Sequence, residues 1–164
     1  MIELLRRHLV PAALTLLPER MRAKESIGLL AAIAWQESRG KERRQVVIVD
    51  GQRRSGPAAG FFQFEEHGAV KGVLSHAATS VLARDVLVAL RYQRDLTVRQ
   101  VWERLEHNDV LACALARLLL WTLPEVLPGA DQPAAGWAQY DAAWRPGKPH
   151  PETWADAWRY GWAL

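Results

Sequence analysis

The chain has a single cysteine, Cys113, among 164 residues, which excludes an internal disulfide and leaves the fold independent of an oxidising compartment. Cys113 sits in an apolar helical run and reads as a small buried hydrophobe. Long apolar runs are also missing. The nearest approach, residues 2–18, is interrupted by Pro11, has no clean small-residue cleavage site and is too short to span a bilayer. It reads as a structural N-terminal helix, with neither a signal peptide nor stable membrane insertion expected. Internal repeats, low-complexity tracts and long linkers are absent, which excludes solenoid and multi-domain arrangements and leaves one domain over residues 1–164. His67 and His76 lie nine apart with no third ligand at a fitting interval, so no metal is expected.

With 49% hydrophobic and 24% charged residues the chain can bury a substantial core. Apolar residues at three- and four-residue spacing predict helices over 26–39, 77–93, 98–105 and 109–123, the last capped by Asn108 or Asp109. A helix starting at Glu19 is expected to continue into the 26–39 segment, and Pro11 marks a kink or boundary. The β-branched run Val46-Val47-Ile48-Val49 predicts a short strand, and Asp50-Gly51 a tight turn. Residues 67–76, with two glycines, form a loop or a short, poorly propagating helix. The fold class is mainly α (α+β): a helical bundle around a central Glu-bearing helix, with a small β-hairpin-like excursion.

That central helix carries the first chemical signal. Stepping back from Glu37 by four and seven residues reaches Ile33 and Leu30, so Glu37 continues an apolar face. Partial desolvation there raises a carboxyl pKa and favours a general acid. The alternative is a helix-end Glu paired with a neighbouring Arg. The second signal is Gly60-Phe61-Phe62-Gln63-Phe64, in which glycine allows close backbone approach, the phenylalanines supply apolar walls and Gln63 places an amide among them. Its alternative is a buried strand in which Gln63 only satisfies backbone groups.

Glu37-Ser38, a polar loop and Gly60-Phe61-Phe62-Gln63-Phe64 resemble the Glu-Ser … Gly-Leu-Met-Gln-hydrophobic signature of the lysozyme-like superfamily, in its lytic transglycosylase and goose-type lysozyme branch. Gln139-Tyr140-Asp141-Ala142-Ala143 is similar to that family's Ala-Tyr-Asn-x-Gly motif, with Asp141 in place of Asn and Ala143 in place of Gly. The resemblance implies a lysozyme-like fold and cleavage of the MurNAc-β-1,4-GlcNAc bond of peptidoglycan. Glu37 would be the acid, and Glu65 or Asp50 the second carboxylate if a water is activated. Ser38, Gly60, Phe61, Phe62, Gln63, Phe64 and Tyr140 would bind or position the glycan. It further implies no metal or organic cofactor, glycan strands as partner, and a monomer. As in phage-encoded members, synthesis without a signal peptide in the bacterial cytoplasm would require a holin or virion components to bring the protein to the wall.

Five of the eight tryptophans, Trp137, Trp144, Trp154, Trp158 and Trp162, fall near the C-terminus in two helical segments split by residues 145–149. Trp154, Trp158 and Trp162 stripe one helix face, read first as packing and otherwise as a sugar-stacking or nucleic-acid platform. The formal charge of +3 is too small to choose among wall, nucleic acid and lipid headgroups. Two rival functions therefore stand beside the enzyme: a non-catalytic glycan-binding or structural virion protein, favoured if Glu37 is exposed and ion-paired to an Arg, and a nucleic-acid-binding domain.

Overall fold

A computed structural model describes residues 1–163. The N-terminal segment is one helical rod: α1 (Ile2–Leu4), a π-helical stretch (Leu5–Leu9) and α2 (Val10–Thr15) follow without a break. Pro11 sits in the first turn of α2, where its missing N–H costs least, so it marks the change from π to α winding instead of ending the helix. Glu19 does not start a long helix. It opens a single 3₁₀ turn, Glu19–Met21, and α3 (Glu25–Ser38) begins separately.

α3 is the centre of the protein. Leu29 to Ala34 are all inaccessible to solvent, so the helix is buried around its circumference and not on one face as its spacing predicts. The extra cover comes from the far end of the chain. α9 (Trp154–Trp162) packs on α3 with Gly161 against the Gly28 carbonyl and the Ala32 amide, and with the Trp162 indole over Gly28. Only residues without a Cβ allow this approach.

The predicted strand is β1 (Arg44–Val49), paired antiparallel with β2 (Gln52–Ala59), and β3 (Phe64–Glu65) adds a short third strand in the order β1-β2-β3. Asp50 (φ 52°) and Gly51 (φ 74°) form the two-residue turn with Val49 opposite Gln52, and two consecutive positive φ values are what a type I′ hairpin requires. The basic residues at the base of the hairpin are structural. Arg43 donates two hydrogen bonds to Asp109 and stacks on Phe61, and Arg44 pairs with Glu106 while lying over Trp102. These contacts dock the sheet on α6 (Val98–Leu105) and α7 (Asp109–Trp121). The Asn108 side chain caps α7 by accepting from the Leu111 amide, as predicted.

Between sheet and bundle run a π-helical turn (Glu66–Val70), α4 (Lys71–Ser75) and α5 (Ser80–Ala89); α8 (Pro133–Trp144) precedes α9. His76 caps the turn before α5 by accepting from the Ala78 amide. The terminal tryptophan stripe is packing: Trp154 and Trp158 are buried, their indoles donating to the carbonyls of Pro133 and Ala130. The protein is thus mainly α with a small antiparallel sheet. Among the described residues, no helix is long and apolar enough to cross a membrane.

Candidate active site

A cleft of about 1310 Å³ opens where the C-terminal end of α3, the sheet, the 66–76 segment and the end of α8 meet. Each residue in the last turn of α3 is tied to a different element. The Trp35 ring stacks on Tyr160 at 5.3 Å. Gln36 donates to the His150 carbonyl and accepts from the Thr153 hydroxyl. Ser38 donates to the carbonyls of Phe61 and Ala34 and accepts from the Gly40 amide. Arg39, in the left-handed conformation at φ 55°, ends the helix and folds back over Trp35.

Glu37 is held inside this frame. The Tyr140 hydroxyl donates to its Oε1 at 2.6 Å, and among the described residues no Arg, Lys or His forms an ion pair with it. Burial pushes the Glu37 carboxyl up to about 7, against a smaller downward pull from the Tyr140 hydrogen bond. Tyr140 is itself buried and stacked on Trp154, which fixes its hydroxyl. Burial and the adjacent Glu37 push its own pKa well above the ordinary phenol range. The hydroxyl therefore acts as a hydrogen-bond donor and not as an acid.

The Gly60–Phe64 segment is a turn followed by β3. Gly60 takes φ +74°, and a Cβ there would lie 3.0 Å from the Leu105 carbonyl oxygen. Gln63 sits at φ 49°, and its side-chain amide donates to the carbonyls of Gly60 and Glu42, which steadies a backbone conformation unusual for a residue other than glycine. The residue still lines the cleft, as does Phe64. The expectation that every phenylalanine here forms a cleft wall is corrected: Phe61 and Phe62 are wholly buried and outside the cleft lining. They belong to the core, with Phe62 packed on Trp144, whose indole donates to the Phe62 carbonyl. Gly60 and Tyr140 also act from behind the cleft surface.

The two candidate second carboxylates separate. Glu65 is exposed and lines the cleft. Asp50 is at the exposed hairpin tip and is not part of the lining, because the hairpin projects its turn away from its docked base. Ser38 lines the cleft too, but its three hydrogen bonds make it the clasp between α3 and the Gly60 turn. Ser38→Ala is expected to lower stability by about 1–2 kcal/mol, since it strips partners from buried backbone groups; urea denaturation measures this. Tyr140→Phe keeps the ring but deletes the donor to Glu37, so the Glu37 pKa is expected to rise by about one unit. Carboxyl-detected NMR titration reads that shift.

Several lining residues carried no sequence signal for a site. Glu42, Gln45 and Val46 come from the start of the sheet, while Arg145 and Lys148 come from the loop between the two terminal helices. Ala142 and Ala143, at the altered third motif, form small-residue wall beside Trp144. Among the described residues no group of three or more His, Cys, Asp or Glu side chains is placed to hold a metal ion. No family model, curated protein or solved structure matches the chain, so the site is read from its own chemistry.

Proposed function

We propose that the protein is a peptidoglycan-cleaving glycosidase in which Glu37 protonates the leaving oxygen of the MurNAc-β-1,4-GlcNAc bond. The observation that carries this reading is a half-buried carboxyl, its pKa pushed up by burial to about 7, that has no cationic partner among the described residues and stands beside an open cleft of about 1310 Å³. An ion-paired structural Glu would have its pKa lowered, not raised. A carboxyl poised near neutrality is partly protonated and can both give and retake a proton.

The chemistry follows from the geometry. As the glycosidic bond lengthens and positive charge develops on the sugar ring, Glu37 delivers its proton to the departing oxygen. The new carboxylate is stabilised by the Tyr140 hydroxyl and then accepts the proton of the attacking hydroxyl. With Asp50 outside the cleft lining and Glu65 exposed to solvent, Glu37 is, among the described residues, the one cleft carboxyl sheltered from solvent, and it serves as both acid and base. A lone group of this kind fits attack by the muramyl 6-hydroxyl, which gives a 1,6-anhydro end, as in a lytic transglycosylase. Gln63 and the alanines of α8 line the glycan path, with Phe64 supporting it from the core, and peptidoglycan strands are the proposed partner.

Digestion of purified peptidoglycan, followed by mass analysis of the soluble fragments, tests the reading. Release of anhydro-ended muropeptides supports it, reducing muramic ends reassign Glu65 as a water-activating base, and no release by folded protein replaces catalysis with glycan binding.

A further inference from the structure

A second cleft of about 680 Å³ lies beside the first, between the Glu19–Met21 turn, the start of α3 and the chain leaving α7, and Leu123 lines both. Its character differs. Trp121, Pro124 and Val126 give it an apolar wall, and Val126 is 90% exposed, an aliphatic side chain with no packing role of its own.

Arg117 brings a charge into this apolar setting. The residue is 3% exposed, its Nε donates to the Met21 carbonyl at 3.0 Å, and its guanidinium lies 5.2 Å from the centre of a Trp121 ring. Among the described residues, its Nη1 and Nη2 have no hydrogen-bond partner and no carboxylate within ion-pair distance. A guanidinium carries five N–H donors, so the bond to Met21 uses one and leaves four. Burial draws its pKa down to about 10, which still leaves it charged at neutral pH. A buried charge without a counter-ion is costly, and an apolar residue of similar size would serve packing better. The Met21 carbonyl engages only Nε, and Nη1 and Nη2, which keep contact with solvent, remain free to receive an anion from the cleft that Arg117 lines.

We propose that this cleft binds a carboxylate carried on an apolar body, the carboxylate received by Nη1 and Nη2 of Arg117 and the body resting on Trp121 and Val126. The fork of N–H donors matches a carboxylate in a two-point contact. Glu25 and Glu125 line the same cleft with Arg20, so the charges nearly cancel. That balance favours a monoanion over a doubly charged phosphate. Peptides ending in a small apolar residue and short fatty acids share this chemistry. The inference stands apart from the role of Glu37, because it concerns binding in a different cleft.

The test uses the full chain labelled with ¹⁵N, with the Trp121 indole N–H resonance assigned by Trp121→Phe. Octanoate and N-acetyl-alanyl-alanine are titrated in, with octanol and the dipeptide amide as neutral counterparts. At least one carboxylate is expected to shift the Trp121 signal saturably, with its neutral counterpart binding at least tenfold more weakly; which carboxylate does so identifies the source. Arg117→Met and Val126→Glu are each expected to weaken binding tenfold or more. Val126→Glu alters an exposed rim position, so it decides the matter even if Arg117→Met fails to fold. Equal binding of carboxylate and neutral counterpart, no saturable shift with either carboxylate, or wild-type affinity in a folded Arg117→Met or in Val126→Glu would overturn the proposal.

Discussion

Glu37→Gln is expected to reduce peptidoglycan cleavage by about 10³-fold or more while making the folded protein more stable at neutral pH. The activity loss follows because the amide cannot deliver a proton, and a positioned general acid contributes about 10²–10⁴-fold. The gain in stability follows from linkage. Glu37 has its folded-state pKa raised from 4.5 to about 7, so between those values the folded state holds more protons than the unfolded state. Stability from this group is therefore fully present below pH 4.5 and is lost as pH rises through 7. The loss is on the order of 3 kcal/mol at about 1.4 kcal/mol per unit. Glu37→Gln lacks this titration, so its urea-unfolding free energy should stay flatter across that window than that of the wild type. A variant that loses activity but keeps the wild-type slope would assign the slope to another group and remove the evidence for a desolvated acid.

The second large effect is structural and lies far from the cleft. Gly161→Ala is expected to destabilise the protein by about 3 kcal/mol, at the upper end of the cost of overpacking a core. The added Cβ would stand 2.5 Å from the Gly28 carbonyl oxygen and 2.6 Å from the Ala32 amide nitrogen. Both are backbone atoms in the buried middle of α3 and cannot turn aside, so α9 must lift from α3. Lifting α9 also disturbs the Tyr160 ring stacked on Trp35 and the Thr153 hydroxyl bound to Gln36. The last turn of α3 then loses two of its ties, and cleavage should fall along with stability. Gly72→Ala is the matched control for stability alone, because Gly72 lines the cleft. Nothing lies within 4 Å of a Cβ there, and alanine favours the helix by roughly 1 kcal/mol. Equal stability of Gly161→Ala and wild type in urea would mean that the α3–α9 crossing is looser than described.

Legibility in the sequence followed the range of the forces involved. The hairpin was readable because Asp50-Gly51 and the β-branched run before it specify a turn and a strand locally. Glu37 was readable because four- and seven-residue steps back to Ile33 and Leu30 place it on the helix face they share, and those residues are buried. Tyr140 came only from the resemblance of a short motif. No local rule brings a phenol to a carboxyl 103 residues earlier in the chain. The fates of Phe61 and Phe62 were also out of reach, because five consecutive mixed residues have no periodicity to separate a core side from a cleft side. Arg117 shows the same limit. The three- and four-residue spacing that predicts α7 runs through Leu111, Leu115, Leu118, Leu119 and Thr122, and Arg117 lies on the opposite side of the helix. The residue is buried because the Glu19–Met21 turn closes over that side. Periodicity finds one buried face of a helix, and a helix covered from all sides by distant segments exceeds what it can report.

The most direct test of the central claim is the pH dependence of muropeptide release from purified peptidoglycan by the wild-type protein. The rate is expected to be high in mildly acidic solution and to fall as pH passes through about 7, as Glu37 loses the proton it must deliver. Tyr140→Phe should retain that falling limb but move it upward by about one unit. No release at any pH, or a rate indifferent to pH across the neutral range, would contradict the assignment of Glu37 as the catalytic acid.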